Sequence, residues 1–139
     1  MARRRVVIAE LDAFIDRVLI QVALGVVDSL ASAPSEGGTP VDTGWASANW
    51  IPYIGKPRRG TAGNRPDPKT GGGASRSVQL TQASKILLYR HSQGDIVVAN
   101  NVPYIVELND GSSTQAPRGF VQAGITKTVT KVAKGIRKL

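Results

Sequence analysis

The chain has 139 residues, with no cysteine, one histidine and one methionine. Without thiols there can be neither a structural disulfide nor a thiolate metal site, which suits a reducing compartment. Aromatic residues make up only 5% of the chain against 41% for all hydrophobic residues, so a core must be mostly aliphatic. This length suits one domain over residues 1–139, since domains commonly hold about 100–150 residues. Long apolar runs are also missing. The longest, Val18 to Val27, contains Gln21 and falls far short of the roughly 20 residues of a membrane span. The basic start Arg3-Arg4-Arg5 leads into apolar residues, but Glu10, Asp12, Asp16 and Arg17 interrupt them. A secretory signal needs an uncharged stretch of about 7–15 residues. The expectation is a soluble chain with no export signal of its own and no membrane partner.

Groups for chemistry are scarce. A nucleophilic Ser, Cys or Thr needs a base beside it. The one histidine, His91, stands at the end of a predicted helix with no motif around it and reads as solvated or capping. Glu107 and Asp110 lie three apart and could share a helix face, but two carboxylates in a turn are more often caps than metal ligands. Gly71-Gly72-Gly73 lacks the Gly-Lys-Ser/Thr ending and preceding strand of a phosphate loop. No catalytic residue, metal or cofactor is expected, and the chain does not read as an enzyme.

What the chain has is positive charge. Its net charge is +8, and no acidic residue follows Asp110. A balance of this kind points to a polyanion or an acidic protein face as partner. One basic block is Lys56, Arg58, Arg59, Arg65, Lys69 and Arg76, opposed only by Asp67. The block lies in a Gly/Pro-rich stretch with almost no apolar residues, predicting a flexible basic loop at about 55–76 that cannot order itself. Such loops are often functional. A second basic set, Lys127, Lys131, Lys134 and Lys138, recurs along the last predicted helix.

The expected architecture is α+β: a long N-terminal helix, a small mainly antiparallel β-sheet with a short helix, and an amphipathic C-terminal helix. Val7, Leu11, Phe14, Ile15, Val18, Val22 and Val26 recur at three- and four-residue steps, predicting a helix over 6–32 that ends at Pro34 and Gly37-Gly38. From Val18 to Val27 this helix is apolar nearly all round, so it is buried on more than one side. The second side is either core within the chain or a neighbouring subunit. Asp42-Thr43-Gly44 predicts a turn before a strand or short helical turn. Gln79 to His91 predicts a helix with Leu80, Ala83, Ile86, Leu87 and Arg90 in register, and Asp95 to Ala99 a strand. Pro103 to Leu108 predicts a helical turn closed by Asn109-Asp110-Gly111. Val121 to Lys138 predicts the last helix, with Ile125, Val129, Val132, Ile136 and Leu139 opposite its lysines.

Two segments carry more specific information. The first is Thr39-Pro40-Val41-Asp42-Thr43-Gly44-Trp45-Ala46-Ser47-Ala48-Asn49-Trp50. The second runs from Asn100-Asn101-Val102-Pro103-Tyr104 through Glu107 and Gly111 to Gln115-Ala116-Pro117-Arg118-Gly119. In order and spacing the pair resembles tailed-bacteriophage tail-completion, or head–tail joining, proteins. The family-motif residues are Asp42, Thr43, Gly44, Trp50, Asn101, Pro103, Tyr104, Glu107, Gly111, Gln115, Ala116, Pro117 and Gly119.

The resemblance implies a structural virion protein that completes the head-proximal end of the tail and joins it to the head connector. It implies a homo-oligomeric ring, by analogy a hexamer. Its partners would be the tail terminator or tail-tube protein on one side and the head stopper or connector on the other. The location would be the head–tail interface, with assembly in the host cytoplasm. The basic loop and the basic helix face could then meet genomic DNA in the channel or an acidic neighbouring ring. The competing readings are a small basic nucleic-acid-binding module, which lacks aromatics interleaved with the basic residues for stacking, and a small phage nuclease, which lacks a carboxylate cluster.

Overall fold

The computed structural model describes residues 2–41, 44–64 and 73–137. Its architecture is the expected α+β. In chain order it contains α1 (Ala2–Ala31), α2 (Trp45–Ala48), β1 (Ile51–Ile54), α3 (Gly73–Ile86), β2 (Ile96–Ala99), α4 (Ile105–Asn109) and α5 (Phe120–Arg137). The strands pair antiparallel, from Ile51 opposite Ala99 to Ile54 opposite Ile96. Pro52 is tolerated within β1 because the sheet is a two-stranded pair with free edges.

Helix α1 stops where Pro34 opens a single 3-10 turn and Gly37 closes it in the left-handed region. The chain then doubles back. Thr39 donates to the carbonyl of Leu30 from its amide at 3.0 Å and from its hydroxyl at 2.7 Å. A carbonyl left over at the helix end is thereby satisfied. The Thr39 hydroxyl also accepts from the Trp50 indole N–H at 2.7 Å, so one buried side chain ties the end of α1 to the residue before β1.

The main core groups Val26 and Leu30 of α1 with Trp50, Ala116 and Phe120. Helices α1 and α5 run antiparallel: Gly124 lies against Leu30, and Thr128 against Gly25. Two glycines make this approach possible. A Cβ on Gly25 would lie 2.7 Å from the Thr128 methyl, and one on Gly124 would lie 2.9 Å from a Leu30 methyl.

Several expectations change. Helix α1 starts at Ala2, and its apolar face divides. Ala23, Val26, Val27 and Leu30 are buried, whereas Val7, Leu11 and Ile15 are exposed. Within the apolar Val18–Val27 stretch, α5 and the Trp50 cluster cover part of the surface, while Leu19 is 38% exposed. Both alternatives after Gly44 occur, a helical turn first and then a strand.

The predicted register of α3 holds at Ile86 and fails at Leu80 and Leu87. Ser75, Gln79 and Ile86 face inward, while Leu80 is 62% exposed and Leu87 61%. Hydrogen bonds explain this: Gln79 donates to the carbonyls of Ser47 at 3.2 Å and Trp50 at 2.9 Å. Leaving those buried acceptors unpaired would cost more than exposing a leucine. The stripe on α5 is shifted too. Phe120, Gly124 and Thr128 are its buried line, with Gly124 and Thr128 at the close approach to α1, and Ile125 and Val129 are left at the surface. Leu139 lies outside the described residues.

Candidate functional site

The two motif segments, far apart in sequence, meet in space. Gly44 adopts a positive φ of 80°, where a side chain would be strained, and turns the chain into α2, whose four residues are all buried. The Asn100 side chain donates to the carbonyl of Ala46 at 2.8 Å, and its oxygen accepts from the amide of Val102 at 3.1 Å. Val102 is thereby set into a cluster with Trp45 and Ala46. The Tyr104 ring packs tilted against Trp45 at 6.1 Å, within the range of a favourable aromatic pair.

Gln115 closes the other end. Its carbonyl oxygen accepts from the amide of Val41 at 2.9 Å, and its NH2 donates to the carbonyl of Val41 at 3.1 Å. The side chain thus pairs with both backbone groups of one residue of the first motif. Ala116 is buried against the Trp50 cluster. Gly119, at a φ of 79°, donates its amide to the carbonyl of Asn109 at 2.7 Å, and the Asn109 side chain accepts the Val121 amide at 3.0 Å at the start of α5. Along the meeting line is a small cleft of about 100 Å³, lined by Gly44, Trp45, Tyr104, Leu108 and Gln115 among others.

Of the remaining motif residues, Pro103, Glu107, Gly111 and Pro117 are exposed. Asp42 and Thr43 lie outside the described residues. Asn101 reaches away from the motif: its side chain donates to the carbonyls of Arg58 at 2.8 Å and Gly60 at 2.9 Å.

That contact changes the picture of the basic loop. The segment after β1 was expected to be unable to order itself, yet Ala62 is 1% exposed. The buried Asn49 side chain accepts the Ala62 amide at 2.8 Å and donates to its carbonyl at 3.4 Å, and the Ser75 hydroxyl donates to the same carbonyl. Lys56, Arg58 and Arg59 are exposed on this pinned segment. Arg65 and Lys69 lie outside the described residues. Arg76 does not belong to the loop at all, since α3 begins at Gly73 and Arg76 is exposed on its first turn.

On α5, Lys127, Lys131 and Lys134 are exposed, and Lys138 lies outside the described residues. Lys127 and Lys131 line a groove of about 470 Å³ between α1 and α5, together with Asp28 and Glu36. The basic stripe is therefore bordered by acids of its own chain. Lys56, Arg58 and Arg59 do not line that groove.

His91 is neither freely solvated nor a simple cap. Its Nδ1 lies 2.6 Å from an Asp16 carboxylate oxygen that also accepts the His91 amide at 2.7 Å. Its Nε2 lies 3.3 Å from Asp12. The carboxyl of Asp16 is held below the ordinary value of 3.8, first by the backbone N–H of His91 and then by its ring. With carboxylates at both ring nitrogens, the imidazole fastens the turn after α3 to α1. Among the described residues no cluster of three His, Cys, Asp or Glu side chains could hold a metal ion, and Glu107 and Asp110 are both exposed.

Sequence reasoning passed over Thr39, Asn49, Ser75 and Gln79 as working residues. Asn49 carried a signal, a polar residue placed between two tryptophans of the first motif. Gln79 carried none, because the apolar pattern pointed to its neighbour Leu80. Comparisons of the chain with models of known families, with curated proteins and with solved structures give no match.

Proposed function

We propose that the chain is a structural subunit of a phage virion that completes the head-proximal end of the tail and joins it to the head connector. One observation carries this reading. Two polar side chains of the second motif segment are used on the backbone of the first: Gln115 on Val41 and Asn100 on Ala46. The motif is thus a frame that shapes and presents surface, in keeping with its resemblance to tail-completion proteins.

In this role the protein forms a homo-oligomeric ring, a hexamer by the resemblance. Rings of this kind close through heterologous contacts. One face meets the tail terminator or tube and the other meets the head stopper, at the head–tail interface of the virion after assembly in the host cytoplasm. It performs no reaction. Lys56, Arg58 and Arg59, presented by Asn101, contact DNA in the channel or an acidic neighbouring ring. Deleting the gene and imaging particles by electron microscopy tests the role. Separate heads and tails are the expected result, and normally joined virions would overturn it.

A second reading, a small nucleic-acid-binding module, is favoured only by the fixed presentation of Arg58 and Arg59. It requires salt-sensitive binding of duplex DNA by the isolated protein.

A further inference from the structure

After β1 the chain presents its cations on a fixed backbone. The carbonyls of alternate residues Arg58, Gly60 and Ala62 are all engaged within the chain. Asn101 donates to the first two at 2.8 Å and 2.9 Å, and Asn49 and the Ser75 hydroxyl donate to the third. Ser75 stands in the first turn of α3, so the segment lies directly against that helix. The approach is close. Gly63 has a φ of 69°, and a Cβ there would lie 2.9 Å from the Ser75 hydroxyl oxygen and 3.4 Å from the Ala74 Cβ. Arg76 follows Ser75 and is exposed, as are Lys56, Arg58 and Arg59. Cations from two stretches of the sequence are thus gathered at one junction.

Charge and composition identify the partner. Residues 55–64 and α3 contain no acidic residue. Asp95 borders the patch at its β1 end, where its carbonyl accepts the Gly55 amide at 2.7 Å. The other basic sets are mixed with acids: Asp28 and Glu36 share a groove with Lys127 and Lys131, and Glu10 and Asp12 follow Arg3, Arg4 and Arg5 on α1. From Gly55 to Gly60 every residue is exposed, and the only apolar ring there is that of Pro57. A protein interface is centred on apolar anchors and depleted of charge at that centre, so this surface does not suit a protein partner. No aromatic residue stands in either segment, so a single strand, which binds by base stacking, fits no better. What fits is the line of phosphates on a duplex, held by Arg and Lys without reading of the bases. Because the backbone is already ordered, binding does not have to order it. We infer that Lys56, Arg58, Arg59 and Arg76 form one phosphate-contact surface for duplex DNA, with Asn101 as its positioning residue. This deepens the joining reading and rests on it in taking the duplex to be the genome in the channel.

Fluorescence anisotropy of a labelled duplex of random sequence, titrated with the purified protein over a range of salt, tests this. Four phosphate contacts predict that the logarithm of the binding constant falls with the logarithm of salt concentration at a slope of about −3.6 per protomer. R58A/R59A/R76A is expected to take about 3 off that slope. R3A/R4A/R5A, which removes the same charge from α1, is expected to leave it in place. N101A changes no charge and is expected to weaken binding severalfold, an effect that vanishes when R58A/R59A/R76A is also present. All the substituted side chains are exposed, and an unchanged circular dichroism spectrum confirms that each variant is folded. No binding by wild-type protein at low salt, an unchanged slope for R58A/R59A/R76A, or an equal loss in the two arginine triples would each overturn the inference. So would tighter binding of single-stranded DNA, or binding of polyglutamate as tight as that of the duplex, which would mark an acidic protein face as the partner. Gene deletion reads the joining role in virions and anisotropy reads this surface in the isolated protein, so the two can fail separately.

Discussion

Between Val22 and Leu30, helix α1 lies against Trp50, Phe120 and α5, whereas every residue between Arg3 and Ala13 is exposed, with Asp12 reaching His91 at 3.3 Å. The hydrophobic period is the same in both halves. What differs is the supply of partners: small residues and a returning chain serve one half, while the other meets the His91 turn at Asp12 and Asp16. The motif frame resembles the buried half. Its polar groups are paired within the chain, as Gln115 is with Val41 and Asn49 with Ala62. The frame is finished within one molecule, while the N-terminal half of α1 keeps Val7, Ile8 and Leu11 exposed.

Truncation tests this contrast most strongly. Leu30 is 1% exposed, and Leu30→Ala is expected to cost about 2–5 kcal/mol. Leu11→Ala, in the exposed N-terminal half of α1, should change stability by no more than about 0.5 kcal/mol. Urea unfolding at low protein concentration measures both, and similar losses would break the comparison.

Next in size is Asn49→Ala. It leaves the buried amide of Ala62 without its partner and is expected to cost about 1–3 kcal/mol. It should also speed proteolysis in the segment around Arg58 and Arg59. A loss of stability without faster cleavage there would mean that Asn49 does not hold the loop. Gln115→Ala removes two exposed hydrogen bonds to Val41 and should cost about 1 kcal/mol, measurable in the same unfolding experiment. A change near zero would mean that the two motifs are held together by apolar packing alone.

The smallest effect is pH-dependent. The carboxyl of Asp16 titrates below 3.8 in the folded chain because His91 donates to it. A lowered folded value means that the stabilisation is complete above 3.8 and disappears as pH falls through the folded value. Asp16→Asn should therefore flatten the acid-side fall of the melting temperature below about pH 4. An unchanged acid slope would show that the clasp on α1 does not contribute.

Much of the fold could be read in the sequence. Periodicity located α1 and α5, and the β-branched run Ile96–Val98 located β2, because those signals are local. The faces were harder to read. Which side of α3 turns inward depends on carbonyls of Ser47 and Trp50, about thirty residues away in sequence, and no pattern within the helix records them. Gly124 and Thr128 form the contact line of α5 because of the shape of α1, while hydropathy alone favoured Ile125 and Val129. The motif residues were legible as a set, but their pairing, side chain to distant backbone, became clear only in three dimensions.

Add-back tests most directly whether this frame belongs to a joining protein. Extracts of host cells infected with a phage lacking the gene are mixed with purified protein, and joined particles are counted by microscopy and plaque titre. Wild-type protein is expected to restore joined, infectious virions from separate heads and tails. Heads and tails that join without the protein, or that stay apart however much folded wild-type protein is added, would contradict it.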